Sequence, residues 1–134
     1  MAAAARNDLL LAVMGAPHGS EQTTTLLRLA QAVLERGSTV EVWTCGYATM
    51  LTHEALGERK PRNMVDWEGD YPSAAALVGE LLSAYAGRLR WSACRFCSEE
   101  RGVTAHIPEV RVRPPFKFGD HLAAAGKTIF IGTI

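Results

Sequence analysis

Apolar positions recur along this chain in two alternating periods. Asp8 to Gly15 is a nearly unbroken apolar run, Leu9-Leu10-Leu11-Ala12-Val13-Met14, as a parallel strand covered on both faces requires. The loop Ala16-Pro17-His18-Gly19-Ser20 follows, and Ser20 or a neighbouring threonine is placed to cap the next helix. In that helix Leu26, Ala30, Val33 and Leu34 fall on one face with Leu27 beside them, and Gly37 marks the stop. Ser38 to Thr44, with Val40, Val42 and Trp43, is the second strand. The unit is strand, helix, strand, with the helix as a right-handed crossover.

The pattern then weakens. Gly46 to Glu54 suits a short helix, whereas residues 55–71 hold Gly57, Pro61, Gly69 and the charges Glu58, Arg59, Lys60 and Arg62, and read as a long loop. Pro72-Ser73 opens a helix with Leu77, Val78, Leu81, Leu82 and Tyr85 on a broad apolar face, closed by Gly87. Arg88 to Ala93 alternates and is the third strand. A short strand is expected around Val110 and Val112, and Pro114-Pro115 breaks it. Asp120 is placed to cap a last helix through Leu122 to Ala125, with Gly126 as its end and Thr128–Ile131 as a buried final strand.

Strands alternating with helices predict a single α/β domain over residues 1–134. It is an open, mostly parallel sheet with helices on both faces, in flavodoxin-like layers, with residues 1–7 disordered. Ligands in such sheets bind beyond the carboxyl ends of the strands. Those ends are the Gly15–Ser20 loop, the Cys45–His53 region, Cys94–Cys97 and the chain terminus.

Composition narrows the function. An apolar fraction of 48% with 21% charged residues excludes a disordered chain. The formal net charge is zero and argues for no nucleic-acid partner. The charge is uneven, however: residues 1–87 hold six Lys or Arg against ten acids, and residues 88–134 hold eight against four. The basic half carries the cysteine motif, which suits an anionic or thiolate-bearing group. No apolar stretch reaches the roughly 18 residues a membrane span needs. Three cysteines, two of them three apart, do not form a secreted disulfide framework, and the expected compartment is the cytoplasm.

The candidate chemistry lies in Arg90-Trp91-Ser92-Ala93-Cys94-Arg95-Phe96-Cys97, a strand running into a Cys-x-x-Cys turn. A cysteine at a strand end that opens a helix meets free backbone N–H groups and the positive end of the helix dipole, which lowers its pKa. Arg95 and Arg101 strengthen that effect if the fold brings their side chains close. The opposing reading is a small buried hydrophobe. Gly15, His18 and Gly19 line a loop at a helix start where an anion is favoured, but the loop lacks a Walker or dinucleotide pattern and reads as a structural turn ahead of a phosphate site. Cys94 and Cys97 alone have the spacing of a zinc half-site, and a full site would need distant residues, so no metal and no cofactor are expected.

The first strand with Gly15, the helix ending Arg36-Gly37, the strand into Cys94 with Arg101-Gly102 after it, and the closing Ala124-Ala125-Gly126-Lys127-Thr128-Ile129-Phe130-Ile131-Gly132 resemble the DsrE/DsrF family, which includes TusD-type sulfur-relay proteins. The resemblance implies a small α/β domain assembling into trimers or hexamers. It implies a persulfide carried on Cys94 and exchanged with sulfur donor and acceptor proteins. Cys97 departs from the family pattern and adds a resolving or second relay thiol. Two other readings remain open at this point. One is a dithiol–disulfide oxidoreductase using Cys94 and Cys97, and the other is a non-catalytic oligomeric ligand-binding domain.

Overall fold

The computed structural model describes residues 5–19, 21–60 and 70–132. Five strands form one sheet in the order β4-β3-β2-β1-β5: β1 Asn7–Met14, β2 Val40–Thr44, β3 Leu89–Cys94, β4 Arg111–Arg113 and β5 Ala125–Gly132. Every pairing is parallel. Between them lie α1 Gln22–Glu35, α2 Ala74–Ala84, α3 Arg95–Glu100 and α4 Phe118–Ala124. The first three connections step from β1 towards β4. The fourth steps back across the sheet to the far side of β1, so with one crossover hand α4 falls on the opposite face from α1 and α2.

Side-chain alternation divides the core accordingly. Leu9, Leu11, Val13, Val40, Val42, Leu89, Trp91 and Ala93 pack with Leu26, Ala30 and Leu34 of α1 and Val78 and Leu82 of α2. Leu10, Trp43 and Cys94 face the other way, against Phe118 and Leu122 of α4. Truncating one of the fully buried leucines to alanine is expected to cost about 2–5 kcal/mol.

Local rules account for two of the helix ends. Ser73 caps α2 by accepting from the Ala76 N–H at 3.1 Å. Gly102, at φ 71°, follows α3 in the left-handed conformation. The Val103 N–H reaches the Ser98 carbonyl at 2.9 Å and the Gly102 N–H reaches that of Glu99 at 3.3 Å, which is a Schellman stop.

Several expectations require correction. The N-cap of α1 is Glu21 and makes no side-chain cap bond, Thr23 is turned to the Pro17 carbonyl at 2.5 Å, and Ser20 lies outside the described residues. Asp120 sits inside the first turn of α4 rather than capping it. Gly126 does not end that helix, because α4 passes directly into β5. A Cβ on Gly126 would lie 2.9 Å from the Asp8 carbonyl oxygen, so its role is close approach to β1. The last strand is an edge and not a buried strand, with Ile129 at 41% and Phe130 at 59% exposure.

Asn7, expected in a disordered start, is the buried first residue of β1, and residues 1–4 lie outside the described residues. Of the expected loop over 55–71, residues 61–69 also lie outside them. The ends of that segment are joined, the Lys60 N–H donating to the Tyr71 carbonyl at 2.8 Å and Arg59 pairing with Asp70. Among the described residues no helix is long and apolar enough to cross a membrane.

Candidate functional site: three thiols at the carboxyl edge

Cys94 is the last residue of β3 and the N-cap of α3. Its side chain packs with Leu10 and Trp43 on the α4 face, and both Cys45 and Cys97 pack against the same cluster. The parallel register explains how distant residues meet. Thr44 pairs with Ala93, and one position later Cys94 ends β3 while Cys45 immediately follows β2. The Cys45 N–H remains bonded to the Val13 carbonyl at 2.8 Å, while Cys97 comes back to the cluster from the first turn of α3. All three cysteines are free thiols.

Cys45 was the residue that sequence reasoning missed. Its signal was present, since it immediately follows β2 as Cys94 ends β3, and adjacent parallel strands bring such positions together. The weight placed on the Cys-x-x-Cys spacing concealed it.

The electrostatics reverse the expectation for Cys94. Burial pushes its thiol above the ordinary value, and the neighbouring Cys97 thiol adds to the rise. The backbone N–H groups of Cys97 and Phe96 do favour the thiolate, as a helix start should, but desolvation outweighs them. Cys94 is 1% exposed. Cys45 is pushed up to about 11, mainly by burial, with a smaller contribution from the charges that Cys94 and Cys97 would carry. The Trp43 indole opposes this by donating Nε1–H to Cys45 Sγ at 3.0 Å.

Neither arginine expected beside the thiolate is bonded to it. Arg95 is exposed and turned to Glu99 at 3.0 Å. Arg101 reaches back to the Cys97 carbonyl at 3.2 Å and lies over the Tyr47 ring at 4.7 Å, bracing the end of α3 against the 3-10 helix Gly46–Thr52. Gly15, His18 and Gly19 share the carboxyl edge of the sheet, yet no hydrogen bond joins them to Cys94 among the described residues. Gly19 instead closes a turn by donating to the Ala16 carbonyl at 3.3 Å, and His18 is exposed.

Behind the cluster a polar relay fixes α3. The buried Ser98 hydroxyl donates to the Cys94 carbonyl at 2.8 Å and lies 3.0 Å from His106 Nε2, whose Nδ1 meets the Thr52 hydroxyl at 2.8 Å. Ser98 has one proton to give, so Nε2 carries the imidazole hydrogen and Nδ1 accepts from Thr52. Burial lowers the His106 pKa, and His53 lowers it further. His53 and His106 are brought together by an antiparallel bridge. Among the described residues no group of three or more His, Cys, Asp or Glu is arranged to hold a metal ion.

The arrangement offers three thiols in one apolar cluster, with the central one shielded and the flanking two half-buried. Such a site can hold a sulfur–sulfur bond away from water and pass it between neighbours.

No family model matches the chain, and no curated protein matches it. Among solved structures, the crystal structure of the ychN protein from E. coli aligns over 93% of this chain and 99% of its own, with a TM-score of 0.73 at 22% identity. The five-stranded parallel sheet flanked by helices is therefore a fold this chain has in common with ychN.

Proposed function

We propose that the protein is a sulfur carrier or sulfurtransferase of the cytoplasm that holds sulfane sulfur as a persulfide on Cys94. The observation that carries this reading is the convergence of Cys45, Cys94 and Cys97 on one packed cluster at the carboxyl edge of the sheet. The resemblance to the DsrE/DsrF family points the same way, and the parallel α/β layering is the architecture that resemblance implies. In the reaction the Cys94 thiol loses its proton to solvent and the thiolate attacks the outer sulfur of a donor persulfide. The donor's S–S bond breaks with its electron pair leaving on the donor thiolate, and an acceptor thiol later repeats the exchange. Phe96 and Cys97 N–H groups favour the anionic sulfur, and Leu10 and Trp43 pack against it on the inner side. Donor and acceptor proteins are the partners, and the chain acts as a homo-oligomer. Exposed Phe116, Ile129 and Phe130 are apolar surface suited to such contacts.

Intact mass after incubation with a persulfide donor tests the reading. One added sulfur, lost in Cys94→Ala, is expected, and no adduct on well-folded protein overturns it. The second reading, dithiol–disulfide exchange, is favoured by the packing of Cys97 and Cys94 in one cluster. It predicts a reversible mass change of two hydrogens and loss of function in Cys97→Ser.

A further inference from the structure

The α4 face of the sheet carries arginines beside the thiols. Arg111 pairs in register with Ser92 and Arg113 with Cys94, and register partners in a parallel ladder place their side chains on one face. Arg90 stands on the same face, paired with Glu41. The last rows of that face therefore read Trp43, Ser92, Arg111 and then Cys94, Arg113, with Cys45 just past the end of β2. Arg111 is exposed, and Arg90 and Arg113 are half-buried.

These cations are not neutralised from within. Glu41 is buried and already engaged by His121, with the Asn7 amide 3.5 Å from its other oxygen. Among the described residues none of Arg90, Arg111 and Arg113 forms an ion pair, and Arg90 Nη1 is buried without a hydrogen-bond partner. A guanidinium nitrogen shut away from water and unpaired is costly. An oxyanion arriving over β3 and β4 would meet the exposed Arg111 and the accessible parts of Arg113 and Arg90, and arginine forks match sulfonate and carboxylate oxygens in pairs.

We propose that Arg90, Arg111 and Arg113 form an oxyanion site that anchors a small anionic sulfane-sulfur compound, with its transferable sulfur directed at Cys94. This inference rests on the reading of Cys94 as a sulfur carrier and names the class of its donor. The anchoring oxyanion is a sulfonate, as in thiosulfate, or a carboxylate, as in glutathione persulfide. With thiosulfate, the Cys94 thiolate bonds to the outer sulfur, the S–S bond breaks, and sulfite leaves with the electron pair. With glutathione persulfide, glutathione thiolate leaves in the same way. Neither step needs an added oxidant or reductant.

The first measurement is binding without transfer. Titration of Cys94→Ala protein with thiosulfate, and separately with glutathione, should saturate for at least one of the two anions, and adding Arg113→Gln or Arg111→Gln should weaken that binding about 10-fold each. Arg113→Lys should recover part of the loss, and the exposed Arg28→Gln should match its parent. The second measurement is the rate of one-sulfur gain on Cys94 from thiosulfate, from glutathione persulfide and from a neutral trisulfide. The arginine substitutions should slow the anionic donors at least 5-fold more than the neutral one, and the donor that loads faster identifies the sulfonate or the carboxylate. Absence of saturable binding by both anions, or equal slowing of all donors, overturns the proposal. If no donor loads Cys94, the carrier reading itself falls, and the binding titration alone decides the arginine site.

Discussion

The Trp43 indole N–H donates to Cys45 Sγ at 3.0 Å, and the same ring lies 5.2 Å from Phe118 and 5.1 Å from His121 of α4. One residue thus ties the thiol pocket to the helix that roofs it. Trp43→Phe retains much of the packing and removes the donor, so the Cys45 pKa should rise beyond about 11. Alkylation of Cys45 should slow about 3- to 10-fold at fixed pH, the equivalent of about 1 kcal/mol for one hydrogen bond. Mass-resolved labelling in a Cys94→Ala, Cys97→Ala background checks this.

Cys94 should be the slowest of the three thiols to alkylate in the native protein below pH 9, because it is both shielded and held protonated by burial. Cys97, which is half-buried, should react first. Peptide mapping after timed iodoacetamide exposure from pH 7 to 10 reads the order, and fast Cys94 labelling at pH 7 would contradict the burial.

Alkaline stability follows from the same shifts. Cys45 titrates near 9.0 when unfolded and at about 11 when folded, so the unfolded chain gives up its proton first. The associated stability is complete below pH 9.0 and is lost as pH rises towards 11. Urea midpoints should fall across that window, and Cys45→Ser should flatten the fall.

On the acid side the sign is opposite. The folded His106 pKa is depressed, so its contribution is complete above the unfolded value near 6.5 and declines as pH falls below it. Urea midpoints at pH 7.5 and 5.0 test this, with His106→Gln as the comparison that should lessen the difference. Ser98→Ala leaves the Cys94 carbonyl and His106 Nε2 without their shared partner and should cost about 1–3 kcal/mol.

Gly126→Ala places a methyl group 2.9 Å from the Asp8 backbone oxygen. Backbone cannot yield as a flexible side chain does, so β5 must shift from β1 at a cost of about 1–3 kcal/mol. A fall of that size in thermal or urea stability is expected.

The sheet was legible in the sequence because its signals are local. The Leu9–Met14 run, the Leu26, Ala30, Leu34 stripe and the glycines after α1 and α2 each act within a few residues. What escaped required the third dimension. The helix-to-strand passage at Ala124-Ala125 has no turn residue to mark it, and Gly126 in a turn-like position meant contact with β1 instead. The exposure of Ile129 and Phe130 depends on β5 standing at the sheet's edge, which apolarity alone does not reveal. At the site, Cys94 and Cys97 advertised themselves by spacing, whereas Cys45 and Arg113 join them only through strand order. The Cys94 pKa is raised rather than lowered: a helix start is visible in sequence, and the depth of burial is not.

The pairing of Thr44 with Ala93 has a consequence for how the thiols can move. Cys94 ends β3 and Cys45 immediately follows β2, each one position beyond the last rung of one ladder, with strands about 4.8 Å apart. Their separation cannot drift unless β2 slides against β3, which would break the ladder between Val40–Thr44 and Leu89–Ala93. Any sulfur bridge between these two residues would therefore form or break at nearly constant span, and its chemistry would persist with little change until the sheet itself melts.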